Sequence, residues 1–111
     1  MSMWAEYQQE RLGKHVLESD KGFALYSFID SKQCYLEDIY VSPEHRKSGA
    51  AAELADQISE LARKQGYEYL IGSVVCGANG DTESLKVLLA YGMHLLEVHG
   101  NLIMFSKKLG E

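Results

Sequence analysis

The sequence predicts an α/β (α+β) protein with one mixed, mostly antiparallel central sheet flanked by helices. Three short runs rich in aromatic and apolar residues follow one another through tight connections, which is typical of an antiparallel meander. Apolar residues then recur at helical spacing, and another strand-like run follows that helix. At 111 residues, the chain is predicted to form a single domain, residues 1–111.

The first part of the chain is predicted to contain one helix and three strands. Residues 3–12 place Trp4 and Tyr7 near one face of a short helix, and Gly13 provides its stop. The strands are expected at residues 14–19, 23–30 and 34–41.

The second part of the chain is predicted to begin with a long amphipathic helix. Its apolar stripe has the i, i+3, i+4, i+7 spacing and consists of Ala51, Leu54, Ala55, Ile58, Leu61 and Ala62, with Gly66 as the stop. The run 69–76 has few polar residues, as expected of a strand covered on both faces. Because a long helix joins it to the strand before, we expect these two strands to be parallel.

The last part is predicted to contain a helix and a hairpin. Residues 77–81 are typical of a loop, and Asp81 or Thr82 is expected to cap a helix over 83–91. Two final strands, 93–99 and 102–108, are expected to meet at the turn Gly100-Asn101.

Composition and charge exclude several classes of function. The net charge is −5 and no basic run is longer than a pair such as Arg46-Lys47, so no nucleic-acid partner is predicted. No apolar run approaches the roughly 18 residues that cross a bilayer, so no membrane partner is predicted either. The surplus of acid suits an amine or basic acceptor, and solvated surface carboxylates explain it as well.

The chain is also predicted to work in the cytoplasm. Its polar N-terminus resembles neither a secretory signal nor a transit peptide. Both cysteines, Cys34 and Cys76, lie in strand-like runs and are predicted to be reduced core residues.

The turn after Val41 is the strongest candidate for a ligand site. Pro43 marks a sharp turn, and Gly49 with three alanines opens the following helix. Unpaired N–H groups at a helix start bind anions, and small side chains let phosphates approach them. Arg46 and Lys47 add positive charge. A well-packed helix start also explains the alanines, because alanine is the best helix former.

The segment YLEDIYVSPEHRKSGAAAEL (35–54) contains Arg46-x-x-Gly49-x-Ala51 and resembles the acetyl-coenzyme A (acetyl-CoA) signature of the GCN5-related N-acetyltransferases (GNAT). The element order from Lys14 onward and the ending MFSKKL resemble the same family. The resemblance implies a GNAT-like acyl-CoA N-acyltransferase fold that lacks part of the N-terminal region. It also implies transfer of acetyl from acetyl-CoA to a primary amine of a small molecule or a protein.

The resemblance further implies which residues hold acetyl-CoA. Main-chain groups of Ile39, Tyr40 and Val41 would pair with the pantetheine arm. The pyrophosphate would lie beside Arg46 and be held by the amides of Lys47, Ser48, Gly49, Ala50 and Ala51.

Two carboxylates, Glu37 and Asp38, precede the turn and are the candidate catalytic residues. An amine must be neutral before it attacks a thioester, and a carboxylate can take its proton. The Leu-Glu-Asp sequence resembles polyamine-type acetyltransferases, whose carboxylate at the Glu37 position assists deprotonation. Neighbouring strand residues face opposite sides, so both can face the acceptor only if a β-bulge intervenes. In the alternative, one carboxylate is exposed and the other is held in a structural ion pair.

The sequence departs from the family in two places. Many members carry a tyrosine in the last helix that protonates the leaving thiolate, whereas here Leu88 occupies that position and Tyr91 lies three residues on. The family usually begins with a strand and two helices, whereas here one helix fits. We therefore expect the side of the protein that binds the acceptor to be open, or to be completed by another subunit. We expect a homo-oligomer, namely a dimer. The alternative function is a catalytically inactive GNAT-fold binding or interaction protein that holds acyl-CoA as a structural ligand without turnover, or binds none.

No metal site is predicted. His94 and His99 are five apart on one expected strand, so they are predicted to point to opposite faces. No Cys/His spacing is typical of zinc.

Overall fold

A computed structural model describes residues 2–77, 79 and 81–109 of the chain. Its α-helices are α1 (Met3–Leu12), α2 (Ala50–Lys64) and α3 (Asp81–Ala90), and a short 3-10 helix spans Pro43–His45. Its strands are β1 (His15–Glu18), β2 (Gly22–Phe28), β3 (Gln33–Val41), β4 (Tyr69–Val75), β5 (His94–His99) and β6 (Leu102–Lys108). The predicted fold class is confirmed: one mixed sheet is flanked by helices.

The six strands lie in the order β1-β2-β3-β4-β6-β5. β1, β2 and β3 form the predicted antiparallel meander. β3 and β4 are parallel, as predicted, because α2 carries the chain back across the sheet between them. β5 and β6 form the closing hairpin, and β6 pairs with β4.

The core lies on the sheet face that α2 and α3 cover. α2 buries the predicted stripe, with Leu54 and Ile58 almost completely inaccessible to solvent. They pack against Cys34 and Leu70 from the two parallel strands. The helical periodicity of the sequence therefore positions α2 directly beside the strands that frame the candidate site.

The pairing of β3 with β4 covers only the first part of each strand. It consists of Gln33–Tyr69, Cys34–Leu70 and Tyr35–Ile71. Beyond Tyr35, β3 runs on to Val41 and β4 to Val75 without a further β3–β4 pair in the described register. The sheet therefore opens at the carboxyl ends of its two parallel strands, where ligands of α/β proteins commonly bind. We call this gap the β3–β4 opening.

Two predictions at the ends of elements are wrong. α3 begins at Asp81, so Asp81 and Thr82 lie in the helix and do not precede it as caps. β4 ends at Val75, which leaves Cys76 in an exposed turn rather than in the core. Of the predicted loop 77–81, residues 78 and 80 lie outside the described residues.

The two cysteines therefore differ. Cys34 is buried, as predicted, and its burial raises the pKa of its thiol to about 11. Both cysteines are free thiols.

The prediction that His94 and His99 point to opposite faces is also wrong. His94 pairs with Ser106 and His99 with Leu102, and these two partners are four residues apart on β6. Residues separated by an even number share a face, so both histidines lie on one face of the sheet. The cause is a register shift between Leu95 and Glu97, which inserts one extra residue into β5.

Within the part of the chain that the structure describes, no helix has the length and apolarity to cross a membrane. The longest of these helices, α2, has 15 residues.

Candidate active site

A β-bulge in β3 lies at Glu37. In the register with β2, Leu25 is opposite Asp38 and Tyr26 is opposite Leu36, so Glu37 is the extra residue. The bulge lies two residues beyond Tyr35, the last β3 residue that pairs with β4. The site of the bulge is therefore also the site at which the sheet opens.

This bulge turns both carboxylates to the same face of the sheet. Leu36 and Ile39 flank them, and both pack against the core beneath α2. Glu37 and Asp38 must then point to the opposite face, since the bulge adds one residue between two that share a face. The structure thus meets the condition under which both carboxylates can face an acceptor.

The surroundings of the two carboxylates differ. Oε1 of Glu37 lies 2.5 Å from Nζ of Lys14, and the two side chains are only 26% and 31% exposed. Asp38 is exposed. One carboxylate is ion-paired and the other is exposed, which is the arrangement expected if neither is catalytic. Both groups nevertheless share one face of the sheet. Lys14 is 23 residues from Glu37 in sequence, and no local pattern pointed to it.

A hydrogen bond joins the two parallel strands beside the opening. The hydroxyl of Tyr35 lies 2.6 Å from that of Ser73. Tyr35 and Glu37 alternate on β3 and share a face, so this bond lies on the same side of the sheet as the carboxylates. Sequence reasoning missed this pair. The only signal for it was the expected parallel pairing of the two strands.

The predicted pantetheine-binding segment continues from the bulge to the end of β3. Ile39 packs partly into the core, whereas Tyr40 is exposed and stacks on Phe23 with ring centroids 5.6 Å apart. Nε of Arg46 donates to the carbonyl oxygen of Val41 at 3.0 Å, and the guanidinium carbon lies 5.6 Å from the centroid of the Tyr40 ring. Arg46 therefore fixes the main chain at the end of β3 as well as adding charge beside it.

The turn that leads into α2 has unusual backbone geometry. Lys47 has φ +63° and Gly49 has φ +86°, both in the left-handed region. A residue other than glycine rarely adopts that backbone conformation, so the backbone of Lys47 is strained. Gly49 is the N-cap residue of α2, and no side chain caps the helix there. A Cβ on Gly49 would meet no atom within 4 Å.

The first turn of α2 consequently leaves its N–H groups without a side-chain acceptor. Ala50 is buried, and Ser48 and Ala52 are exposed. The aligned N–H groups of a helix start carry a partial positive charge and suit an anion. The structure thus brings the predicted residues Lys47, Ser48, Gly49, Ala50 and Ala51 together in one turn at the end of β3.

The last helix offers no tyrosine to the β3–β4 opening. Leu88 packs against the core, close to Gly72 of β4, where an added Cβ would lie 3.2 Å from a Leu88 methyl carbon. The hydroxyl of Tyr91 instead donates to Asp56 Oδ1 at 2.6 Å and lies 3.2 Å from the Ser59 hydroxyl. Both of these residues lie on α2. Burial, and then the bond to Asp56, raise the pKa of Tyr91 to about 12.

Tyr91 also borders a surface cavity beside the second half of α2. The cavity has a volume of about 370 Å³ and is lined by Asp56, Ser59, Glu60, Tyr91, Lys107, Lys108 and Leu109. None of the residues predicted to bind acetyl-CoA lines it. Among the described residues, no group of three or more His, Cys, Asp or Glu side chains could hold a metal ion.

The fold and this geometry define a class of α/β protein whose sheet opens at the carboxyl ends of its two parallel strands. The sequence model of the Acetyltransferase (GNAT) family matches residues 2–93, so the chain belongs to that family. A curated relative, thialysine N-epsilon-acetyltransferase from Sus scrofa, is 41% identical over 49 residues. That match covers 40% of this chain and 29% of the relative, so the chain spans less than a third of the relative's length in it.

Solved structures share the fold. A GNAT family acetyltransferase from Elizabethkingia anophelis with acetyl-CoA bound has a TM-score of 0.74 at 14% identity, covering 97% of this chain and 84% of its own. PaiA N-acetyltransferase from Thermoplasma acidophilum in complex with coenzyme A has a TM-score of 0.70 at 17% identity. In that case the similarity covers 79% of this chain and 53% of the other.

Proposed function

We propose that this chain transfers the acetyl group of acetyl-CoA to a primary amine of a small molecule or a protein. The observation that carries the proposal is the β3–β4 opening, which begins beside Glu37 and Asp38 and leads to the uncapped start of α2. Acetyl-CoA in this opening would have anion-binding N–H groups beside its pyrophosphate, and its thioester would lie toward the proton-accepting carboxylates. The similarity to an enzyme named for N-acetylation of thialysine supports an amine as the acceptor.

Acetyl-CoA would lie along the end of β3 and the turn that follows. Its pantetheine arm would pair with main-chain groups of Ile39, Tyr40 and Val41. Its pyrophosphate would lie on the amides of residues 47–51, beside Arg46. The uncapped helix start supports this placement, as do the acetyl-CoA and coenzyme A bound to structures of the same fold.

The proposed reaction is a direct transfer between acetyl-CoA and an acceptor bound together. The amine nitrogen attacks the thioester carbon, and Glu37 takes the amine proton directly or through a water molecule. Main-chain N–H groups polarise the thioester carbonyl, and the carbon–sulfur bond then breaks. The thiolate takes its proton from solvent, because Leu88, at the position of the family's tyrosine, has no acidic group to donate one. Asp38, exposed on the same face, adds negative charge that favours a cationic acceptor.

Thiol release with a panel of polyamines, amino acids and lysine peptides tests this function. Turnover with at least one acceptor, greatly reduced by Glu37→Gln and little changed by Asp38→Asn, is the expected result. Saturable binding of acetyl-CoA without thiol release for any acceptor would favour the non-catalytic binding protein instead. No calorimetric signal at millimolar acetyl-CoA would contradict the enzyme and leave an interaction protein that binds no acyl-CoA.

We also propose that the chain forms a homodimer through β5. This strand is at one edge of the sheet, and Leu95 and Val98 are 63% and 54% exposed. Edge strands present unpaired N–H and C=O groups that can pair with another strand. Two copies of β5 in antiparallel pairing about Val98 would place Glu97 of each copy opposite His99 of the other, two side chains that lie 3.2 Å apart, Oε2 to Nε2, within one chain.

Size-exclusion chromatography with light scattering measures the molar mass of the protein in solution and so tests the dimer. Val98→Lys is expected to convert a dimer into a monomer, because it places a charge at the centre of the pairing. Met3→Lys is the matched control, since Met3 is also exposed but lies on α1 at the other side of the fold. A monomer at all concentrations, or equal effects of both variants, would contradict this interface.

We further propose that residues 1–111 act as one domain in the cytoplasm. The free thiols of Cys34 and Cys76 support a reducing compartment.

A further inference from the structure

The side-chain amine of Lys14 lies at the position where an acceptor amine would have to surrender its proton. Its Nζ is 2.5 Å from Oε1 of Glu37. Glu37 is the bulged residue at the start of the β3–β4 opening, and Tyr35 and Ser73 bond across the two strands on the same face. Lys14 is itself a primary amine, the chemical class that we propose as the acceptor.

The backbone holds Lys14 in this place. Gly13 ends α1 with φ +67°, and the N–H of Lys14 donates to the carbonyl oxygen of Gln8 at 3.1 Å. Lys14 then leads directly into β1, which pairs with β2. The Cα of Lys14 is therefore fixed between a helix end and a strand, and only its flexible side chain needs to move to reach a thioester.

We propose that Lys14 is a modification site, acetylated on Nζ by the acetyl-CoA that the same chain binds. This inference rests on the proposed function. The ammonium Nζ gives one proton to Glu37, attacks the acetyl carbon, and loses its second proton to solvent as the amide bond forms. The carbon–sulfur bond of acetyl-CoA breaks, and coenzyme A leaves as the thiol after taking up a proton. The product has no charge at residue 14, so the modification also removes the ion pair from Glu37.

The other lysines provide internal references. Lys21 lies 3.7 Å from Glu53, and Lys107 donates to the carbonyl oxygen of Tyr91. Lys32 and Lys64 are exposed, and neither contacts Glu37 in the described contacts. Spontaneous acetylation by a thioester would modify such exposed lysines at least as readily as the part-buried Lys14. Preferential reaction at Lys14 therefore reports the site rather than general reactivity.

The experiment incubates the purified chain with acetyl-CoA labelled isotopically in its acetyl group and follows each lysine by peptide mass spectrometry. Lys14 is expected to react at least about tenfold faster than Lys32 and Lys64, because positioning beside the thioester raises its effective concentration. The rate per chain should not change on dilution of the protein. Glu37→Gln should slow the reaction at Lys14 by about tenfold or more and leave Lys32 and Lys64 unchanged.

Two variants keep this inference separate from the proposed function. Lys14→Arg keeps a cation opposite Glu37 and removes the acceptor amine, so the fast phase of labelling should disappear while the slow labelling of Lys32 and Lys64 persists. Turnover of added amines with no preference for Lys14 in the unmodified chain would overturn the inference and leave the function standing. Equal labelling of Lys14 in the unmodified and Glu37→Gln chains would also overturn it. Absence of both turnover and labelling would contradict both.

Discussion

The two ends of the candidate site are built in different ways. At the cofactor end, the chain offers main-chain geometry: left-handed residues at Lys47 and Gly49 and an uncapped helix start. At the acceptor end, it offers side chains held by partners distant in sequence, above all Lys14 on Glu37. A main-chain site depends on which residue types allow the backbone conformation, whereas a side-chain site depends on what the fold brings together.

This difference predicts how each end responds to mutation. The cofactor end should be sensitive to size and charge at a few small residues and insensitive to the identity of most side chains. The acceptor end should be sensitive to single functional groups. Three substitutions test this contrast, and a fourth, Tyr91→Phe, tests a side chain outside both ends.

Gly49→Glu is expected to have the largest effect. The new carboxylate would lie beside the bound pyrophosphate and repel it. The backbone would also be strained, because a residue with a side chain disfavours φ +86°. We expect the dissociation constant of acetyl-CoA to rise by about a thousandfold, or 4 kcal/mol, by titration calorimetry. Gly66→Glu is the matched control: Gly66 has φ +93° and follows the other end of the same helix. Equal losses in both variants would mean that strain, and not the phosphate site, is responsible.

Glu37→Gln is expected to lower kcat by about a hundredfold at neutral pH, because glutamine cannot take the amine proton. The effect should fall on kcat more than on the KM for acetyl-CoA, which binds at the other end. Steady-state kinetics beside Asp38→Asn provides the measurement and its control. A Glu37→Gln variant with full turnover would remove Glu37 as the base.

Tyr91→Phe is expected to change stability and leave turnover intact. Loss of the bonds to Asp56 and Ser59 should lower the free energy of unfolding by about 1 kcal/mol at neutral pH. Because the pKa of Tyr91 is raised from its ordinary value of 10.0 to about 12 in the folded chain, its contribution to stability is present below about pH 10 and is lost as the pH rises toward 12. Denaturant unfolding from neutral to alkaline pH should therefore show a shallower alkaline decline in the variant, with Cys34 contributing in both chains. A large loss of kcat in Tyr91→Phe would instead assign Tyr91 a role in proton transfer.

Lys47→Gly is expected to have the smallest effect. Glycine adopts the left-handed conformation without strain, so the variant should be more stable by about 0.5–1 kcal/mol. Lys47→Ala removes the same charge but keeps the strain. Thermal unfolding with and without acetyl-CoA therefore separates backbone strain from any contribution of the ammonium group to phosphate binding. Equal stability of both variants would show that the strain is negligible.

The fold was predictable because most of its elements carry local patterns. The stripe from Ala51 to Ala62 specified α2, and the long helix specified the parallel pairing of β3 and β4. The helix start at Gly49 was predictable too, because glycine followed by three alanines is a local pattern, whereas the anion site there stays a prediction. The wrong assignments concern ends and irregularities. Cys76 lies one residue beyond the end of β4, and a register shift in β5 puts His94 and His99 on one face.

The acceptor end was less predictable for a physical reason. The bulge at Glu37 leaves no signal in residue types, because it depends on how β2 and β3 pair. The partners Lys14 and Ser73 reach Glu37 and Tyr35 only through the folded sheet. The sequence predicted the two carboxylates as candidate catalytic residues. The structure shows that they share a face of the sheet and that one of them is ion-paired.

The central claim is that the main-chain amides of residues 47–51 hold the pyrophosphate of acetyl-CoA. Hydrogen–deuterium exchange of the unmodified chain, with and without saturating acetyl-CoA, tests it most directly. We expect slower exchange of the amides at the start of α2, with little change at the end of the same helix, residues 61–66. Binding or turnover of acetyl-CoA with unchanged exchange at residues 47–51 would contradict it.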